Sequence, residues 1–174
     1  MKRQIILLGI LFGFALGLEP QSRIPDFTVK LLNGKTMTVQ DLVKDGPVLI
    51  DFWATWCVPC RKEMRYLNAF HQQYTADGFK VLAIDQDTPK SLAKVRSLIR
   101  SNRYEFLVGL DPNKQISQKL NAVVLPTTLI VDRDGTIRWQ HQGYIPGDEQ
   151  EIERQIQSVL KEAKEARETG DPNQ

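Results

Sequence analysis

Sulfur and imidazole are scarce in this chain, whose 174 residues include two cysteines and two histidines. Two cysteines cannot build a disulfide framework, so the fold must rest on a hydrophobic core, which a chain of this length can bury. The histidines, His71 and His141, stand at no spacing that completes a tetrahedral zinc site with the cysteine pair. Neither sign of charge is in excess. The 23 Lys and Arg include Lys2 and Arg3 of a leading segment that holds no acid, and without those two the balance is 21 to 21. No basic face is implied, which excludes nucleic acid as an expected partner. Internal repeats are absent, and 41% hydrophobic with 25% charged residues is ordinary for a soluble globular chain.

Long apolar runs are also missing, except at the start. "MKRQIILLGILFGFALGL" has a basic beginning and fourteen apolar residues from Ile5 to Leu18, fewer than the roughly 20 that span a bilayer as a helix. Its leading reading is an export signal with a cleavage site near Ala15 and Gly17; an uncleaved membrane tether through residues 5–18 and a buried N-terminal helix stay open. No cysteine follows the run to carry a lipid. The first two readings put the folded part outside the cytoplasmic membrane, periplasmic or otherwise extracytoplasmic, in an oxidising compartment. The expected organisation is a signal or anchor over 1–18, one α/β domain over 19–166 and a flexible polar tail over 167–174.

Within the domain, "FTVKLLNGKTMTV" (27–39) alternates about Asn33-Gly34 and predicts a hairpin. "PVLIDFWA" (47–54) and "FKVLAID" (79–85) read as buried strands, with "FLVGL" (106–110) as a third. Cys60, Met64, Leu67, Phe70 and Tyr74 recur at spacings of three and four, one face of a helix ending near Asp77-Gly78. Thr88-Pro89 and Asp111-Pro112 each open a further helix. "TTLIVD" (127–132) and "TIRWQHQG" (136–143) form a second hairpin about "RDG", and a last helix starts at Asp148. Strands alternating with helices, then a closing hairpin, predict an α/β fold with a mixed central sheet and helices on both faces.

Both cysteines lie in "DFWATWCVPC" (51–60), where a buried strand gives way to a helix. A cross-link spanning two residues removes little entropy from the unfolded chain, so the pair is there to react rather than to staple. Cys57 is expected at the exposed mouth of the helix, where unpaired N–H groups and the dipole favour a thiolate. Cys60, one turn inside, is then the resolving sulfur, and Pro59 is tolerated at a helix start. Half a zinc site, an inert disulfide and a copper carrier remain as competing readings of the pair. Asp51, inside an apolar strand, is expected to be buried with its pKa raised.

With "LPTT" and "DRDG" downstream, "VLIDFWATWCVPC" resembles the thioredoxin superfamily. More narrowly the chain is similar to TlpA/ResA-like thiol–disulfide oxidoreductases, exported or membrane-tethered, over residues 24 to about 163. The leading "PDFTVKLLNGKTMTVQDL", the inserted αβ unit at 88–110 and Glu63 point to that branch. The resemblance implies a thioredoxin-like fold with an N-terminal β-hairpin and an inserted αβ unit. It implies that Trp56 and Pro59 frame the redox pair. Pro126 would be a cis-proline facing the cysteines, with Leu125 offering its backbone to an extended substrate. Asp51 and Glu63 would exchange protons with the cysteines as a coupled set. Arg65 departs from the pattern, standing where relatives kink the helix with proline, and Val58 replaces an acidic residue found in some of them.

The activity implied is reduction of protein disulfides through Cys57 and Cys60, with no metal and no cofactor. Partners would be client proteins with disulfides or exposed cysteines, in the family including those of cytochrome c maturation, and a transmembrane dithiol electron donor. Two alternatives stand beside it: a peroxiredoxin-like antioxidant enzyme, and a non-enzymatic copper or metal carrier. A peroxiredoxin would need threonine and proline at positions held here by Ala54 and Ile50.

Overall fold

The structure, a computed structural model, describes residues 22–169. The segment read as signal or anchor lies outside the described residues.

A seven-stranded mixed sheet organises the chain. Its strands are β1 (Thr28–Leu31), β2 (Thr36–Thr38), β3 (Val48–Trp53), β4 (Lys80–Asp85), β5 (Leu107–Leu110), β6 (Thr127–Val131) and β7 (Ile137–Gln142), in the order β2-β1-β5-β4-β3-β6-β7. The central strands β3, β4 and β5 run parallel. The N-terminal hairpin joins antiparallel through β1 to β5, and the closing hairpin antiparallel through β6 to β3. All six residues of β3 are buried, as its unbroken apolar run requires of a strand covered on both faces.

The helices are α1 (Val39–Val43), α2 (Val58–Tyr74), α3 (Leu92–Ser101), α4 (Gln115–Lys119) and α5 (Asp148–Thr169). On one face α2, α3 and α5 pack over Leu49, Trp53, Val81 and Ala83; on the other, α1 and α4 cover Val48, Ile50, Phe52 and Leu82. Alternation along β3 therefore turns Asp51, which lies between Leu49 and Trp53, toward α2. The α2 stripe is Cys60, Met64, Leu67, Phe70 and Tyr74, with Glu63 buried among them. The helix closes through a 3-10 turn at Thr75–Asp77, and Gly78 supplies the left-handed φ of +89° that ends it. Arg65, in place of a proline, leaves α2 continuous over 17 residues.

Three boundaries differ from the sequence-based expectation. The second run of the N-terminal hairpin stops at Thr38, which caps α1 in a reciprocal box: its side chain accepts from Asp41 N–H, and the Asp41 carboxylate accepts from Thr38 N–H. Helix α4 starts at Gln115 rather than at Asp111-Pro112, yet Asp111 still caps it, accepting from the N–H groups of Ile116 (3.2 Å) and Ser117 (2.8 Å). Helix α5 continues to Thr169, into the segment assigned to the polar tail.

Candidate functional site

Parallel β3 and β4 end at the edge where antiparallel β6 begins, so three loops meet there: 54–57, 86–88 and 121–126. Open α/β sheets gather their chemistry at such an edge. Cys57 is the N-cap of α2, extended at φ −79° and ψ 105°, and its sulfur accepts from the Cys60 N–H at 3.3 Å. That N–H is one of the groups a helix start leaves unpaired, and it is aimed at the place where a thiolate would sit. Cys57 and Cys60 are joined as a disulfide, with Cα atoms 5.4 Å apart.

The exposed sulfur expected at the helix mouth is not found in this form. Cys57 is 4% exposed and Cys60 fully buried, with their sulfurs bonded to each other. The rim is instead formed by neighbours, Trp56 at 63% and Val58 at 52% exposed. Pro59 occupies the first turn of α2, where its missing N–H costs nothing.

Two carboxyls share one hydroxyl behind the pair. Asp51 and Glu63 are fully buried, and Thr128 on β6, opposite Asp51 in register, contacts Glu63 Oε1 at 2.8 Å and Asp51 Oδ1 at 3.4 Å. A threonine has one hydroxyl hydrogen, so it can donate to only one of them at a time. Asp51 Oδ2 and Glu63 Oε2 have no partner among the described residues. Burial, reinforced by the Glu63 charge, pushes the Asp51 pKa well above the ordinary carboxylate range. Burial likewise raises Glu63 to about 7, against the Thr128 hydrogen bond, with Asp148 adding a smaller upward push. Neither is a solvated surface acid.

A second acidic pair lies at the end of β4, and sequence reasoning missed it. Asp87 accepts from both donors of Thr55, the N–H at 2.6 Å and the hydroxyl at 2.9 Å, and so clasps the loop two residues before Cys57. Asp85, buried and paired in register with Trp53, is raised to about 8 by burial and by its hydrogen bond to Asp87 and that neighbour's charge. Its Oδ1 has no partner among the described residues. The available signal was two acids in "DQD" directly after a buried strand.

Leu125–Pro126 is a cis peptide bond. Pro126 is buried, Leu125 is half-buried, and the loop is tied by Thr127 donating to the Val124 carbonyl at 2.6 Å and Gly143 N–H donating to the Pro126 carbonyl at 2.8 Å. The histidines serve elsewhere. His141 stacks on Trp139 and meets Asp148 at 3.2 Å, whereas His71 sits on α2 beside Thr75. Among the described residues, no group of three or more His, Cys, Asp or Glu side chains is placed to hold a metal ion.

Residues 20–140 match the AhpC/TSA family. A thiol-disulfide oxidoreductase ResA from Bacillus thuringiensis subsp. konkukian is 29% identical over 144 residues, 83% of this chain and 78% of the relative. The thioredoxin-like protein YneN of Bacillus subtilis is 35% identical over 136 residues, 78% of each chain. Among solved structures, one from Chlorobium tepidum assigned to the thiol:disulfide interchange protein DsbE aligns with a TM-score of 0.75 at 30% identity, covering 83% of this chain and 99% of its own. Sequence and fold thus lead to one family, and the chain belongs to it: a member of the AhpC/TSA family with a thioredoxin-like fold, and a thiol–disulfide oxidoreductase.

Proposed function

We propose that this protein reduces disulfides in other proteins outside the cytoplasmic membrane, with Cys57 as the attacking sulfur and Cys60 as the resolving one. The observation that carries the reading is the enclosed pair of carboxyls on the Cys60 side of the site. Cys60 is fully buried, so its thiol has no water to receive its proton. A carboxylate whose pKa stands near 7, as at Glu63, is matched to that task, and Asp51 is linked to it through Thr128.

The steps balance as follows. The Cys57 thiolate, favoured by the helix start and the Cys60 N–H, attacks one sulfur of a client disulfide. A Cys57–client disulfide forms, and the client's other sulfur leaves as a thiolate and takes up a proton. Cys60 then gives its proton to the carboxyl pair and attacks the Cys57 sulfur. The intramolecular disulfide forms, the client's second sulfur departs, and two electrons have passed to the client. Leu125, Pro126, Trp56 and Pro59 would form the groove for an extended client segment. Leu125 makes no backbone hydrogen bond within the described residues, which leaves it available for strand-like pairing.

The extracytoplasmic location is supported by the basic-then-apolar start of the sequence. No helix among the described residues is long and apolar enough to cross a membrane. In an oxidising compartment, turnover needs electrons from a transmembrane dithiol donor, and apocytochrome cysteines fit as clients. A peroxidase reading is disfavoured by Ala54, which offers no hydroxyl, and by Thr55, whose hydroxyl is committed to Asp87. The test is a trap in the native host. Cys60→Ser should accumulate client and donor as mixed disulfides while Cys57→Ser accumulates none, and the reverse pattern would overturn the assignment of roles.

A further inference from the structure

The balance of 21 basic and 21 acidic side chains beyond Lys2 and Arg3 conceals a separation of signs at the active edge. The inserted helix α3 lies on the same face of the sheet as α2, and an open groove of about 500 Å³ runs between them. Its walls carry Arg61, Lys62 and Arg65 from α2 and Lys94 from α3, all exposed, and among the described residues no Asp or Glu lines it. Among the described residues none of the four is in an ion pair, although Arg65 meets the Tyr104 hydroxyl. One end of the groove is Val58, between the two cysteines. On the other flank of α2 the sign reverses, because α5 opens with Asp148, Glu149 and Glu151.

Distance ties the groove to the chemistry. Seven helical steps lead from Val58 to Arg65, about 10 Å at about 1.5 Å per residue. Any chain whose sulfur is bonded to Cys57 passes Val58 within a residue or two. An extended segment then covers the groove with about three further residues. Four cations held this close repel one another, and carboxylates laid between them convert that repulsion into attraction. A basic or neutral segment gains nothing there.

We propose that the α2/α3 groove is the docking site for an acidic segment next to the reactive cysteine of the protein's redox partner, which makes the inserted αβ unit a selector of clients. The proposal rests on the exchange reading above.

The test uses the full chain and three synthetic peptides with one internal disulfide, flanked by acidic, neutral or basic residues. At about 20 mM salt the acidic peptide should be reduced about tenfold faster than the neutral one, as expected when several exposed pairs each contribute a fraction of a kcal/mol. The advantage should shrink to about twofold by about 300 mM salt, where screening reaches only a few ångströms. Arg65→Glu combined with Lys94→Glu should abolish or invert the ratio. Lys164→Glu, on the far part of α5, should leave it as in the wild type. Ratios to the neutral peptide cancel any change these charges make in Cys57 reactivity.

Equal rates for the three peptides, or an acidic advantage that survives the double charge reversal, would overturn the proposal. So would equal loss through Lys164→Glu, which would indicate a diffuse field rather than a groove. A double variant that loses only co-sedimentation with vesicles of anionic phospholipid, with its peptide ratio intact, would assign the groove to a membrane surface instead. Failure to reduce any disulfide would count against the exchange reading alone. The groove is then judged by binding of a cysteine-free acidic peptide, which should be retained by the wild type, weakened about tenfold by the double reversal, and whose absence would refute it.

Discussion

The active edge has a buried acidic pair on each side of the disulfide, and the two pairs are built differently. Asp51 and Glu63 come from a strand and a helix, are bridged by the Thr128 hydroxyl, and hold no backbone group among the described residues in place. Asp85 and Asp87 come from one strand end, bond to each other, and grip the Thr55 N–H and hydroxyl. A pair that holds no backbone can change protonation without moving the chain. A pair that anchors the loop before Cys57 cannot do so freely, because Asp87 accepts two bonds only as the acceptor it is now. On the proposed reading, the difference would separate proton exchange from positioning, two tasks that a single acid pair would confuse.

The sharpest way to break this comparison is to ask which step each pair controls. Asp51→Asn should slow resolution by Cys60 by about 100-fold above neutral pH, the usual scale for losing a positioned acid–base group, and leave the first attack by Cys57 nearly intact. Rapid-mixing kinetics on a single-turnover client would resolve the two steps. Asp87→Ala should do the opposite, slowing alkylation of reduced Cys57 while the resolving step keeps its pH profile. It should also lower stability by about 1–3 kcal/mol through unsatisfied buried donors at Thr55, readable in urea. If both substitutions slow the same step, the two pairs are not functionally distinct.

Stability against pH probes both pairs together. Glu63, near 7, and Asp85, near 8, bind their protons more tightly in the folded chain than in the unfolded one. Their contribution is therefore complete below about pH 4 and is lost as pH rises through 7 and then 8. The urea midpoint should fall between about pH 4 and 8. Glu63→Gln should remove the share of that decline that ends near 7 and Asp85→Asn the share that runs on to about 8, and a midpoint that rises over this interval would contradict both. The smallest effect is expected for Thr128→Val. It removes the hydrogen bond that holds the Glu63 pKa down, so the proton-linked limb of the rate profile should move to higher pH by less than about one unit, at a stability cost of about 1 kcal/mol.

Much of the fold could be read in the chain because its elements carry one clear period each. The apolar run of β3, the three-and-four spacing from Cys60 to Tyr74 and the Asn33-Gly34 turn all name their elements without tertiary help. Where two signals overlapped, reading failed. Val39 and Leu42 prolong the apolar pattern of β2, and only the Thr38–Asp41 box marks the change to helix. Glu63 falls within the buried stripe of α2 because it is three residues from Cys60, close enough to share its face. The Asp87–Thr55 clasp spans 32 residues of sequence and leaves no local pattern, so only the parallel pairing of β3 and β4 brings it into view. The burial of Cys57 was hidden for another reason: the loops at 86–88 and 121–126 that meet beside it are distant in residue order.

The near-complete covering of the Cys57 sulfur in the bonded form has a kinetic consequence. A thiolate must approach in line with the sulfur–sulfur axis, and with Cys57 only 4% exposed a freely diffusing small thiol should reach that line slowly. Trp56 and Val58 offer a macromolecule something to rest on while that line is opened, and they offer a small solute very little. The expected outcome is a bond reduced more readily by proteins that dock beside it than by the bulk thiol pool, which a comparison of small-thiol and protein dithiol reductants would check.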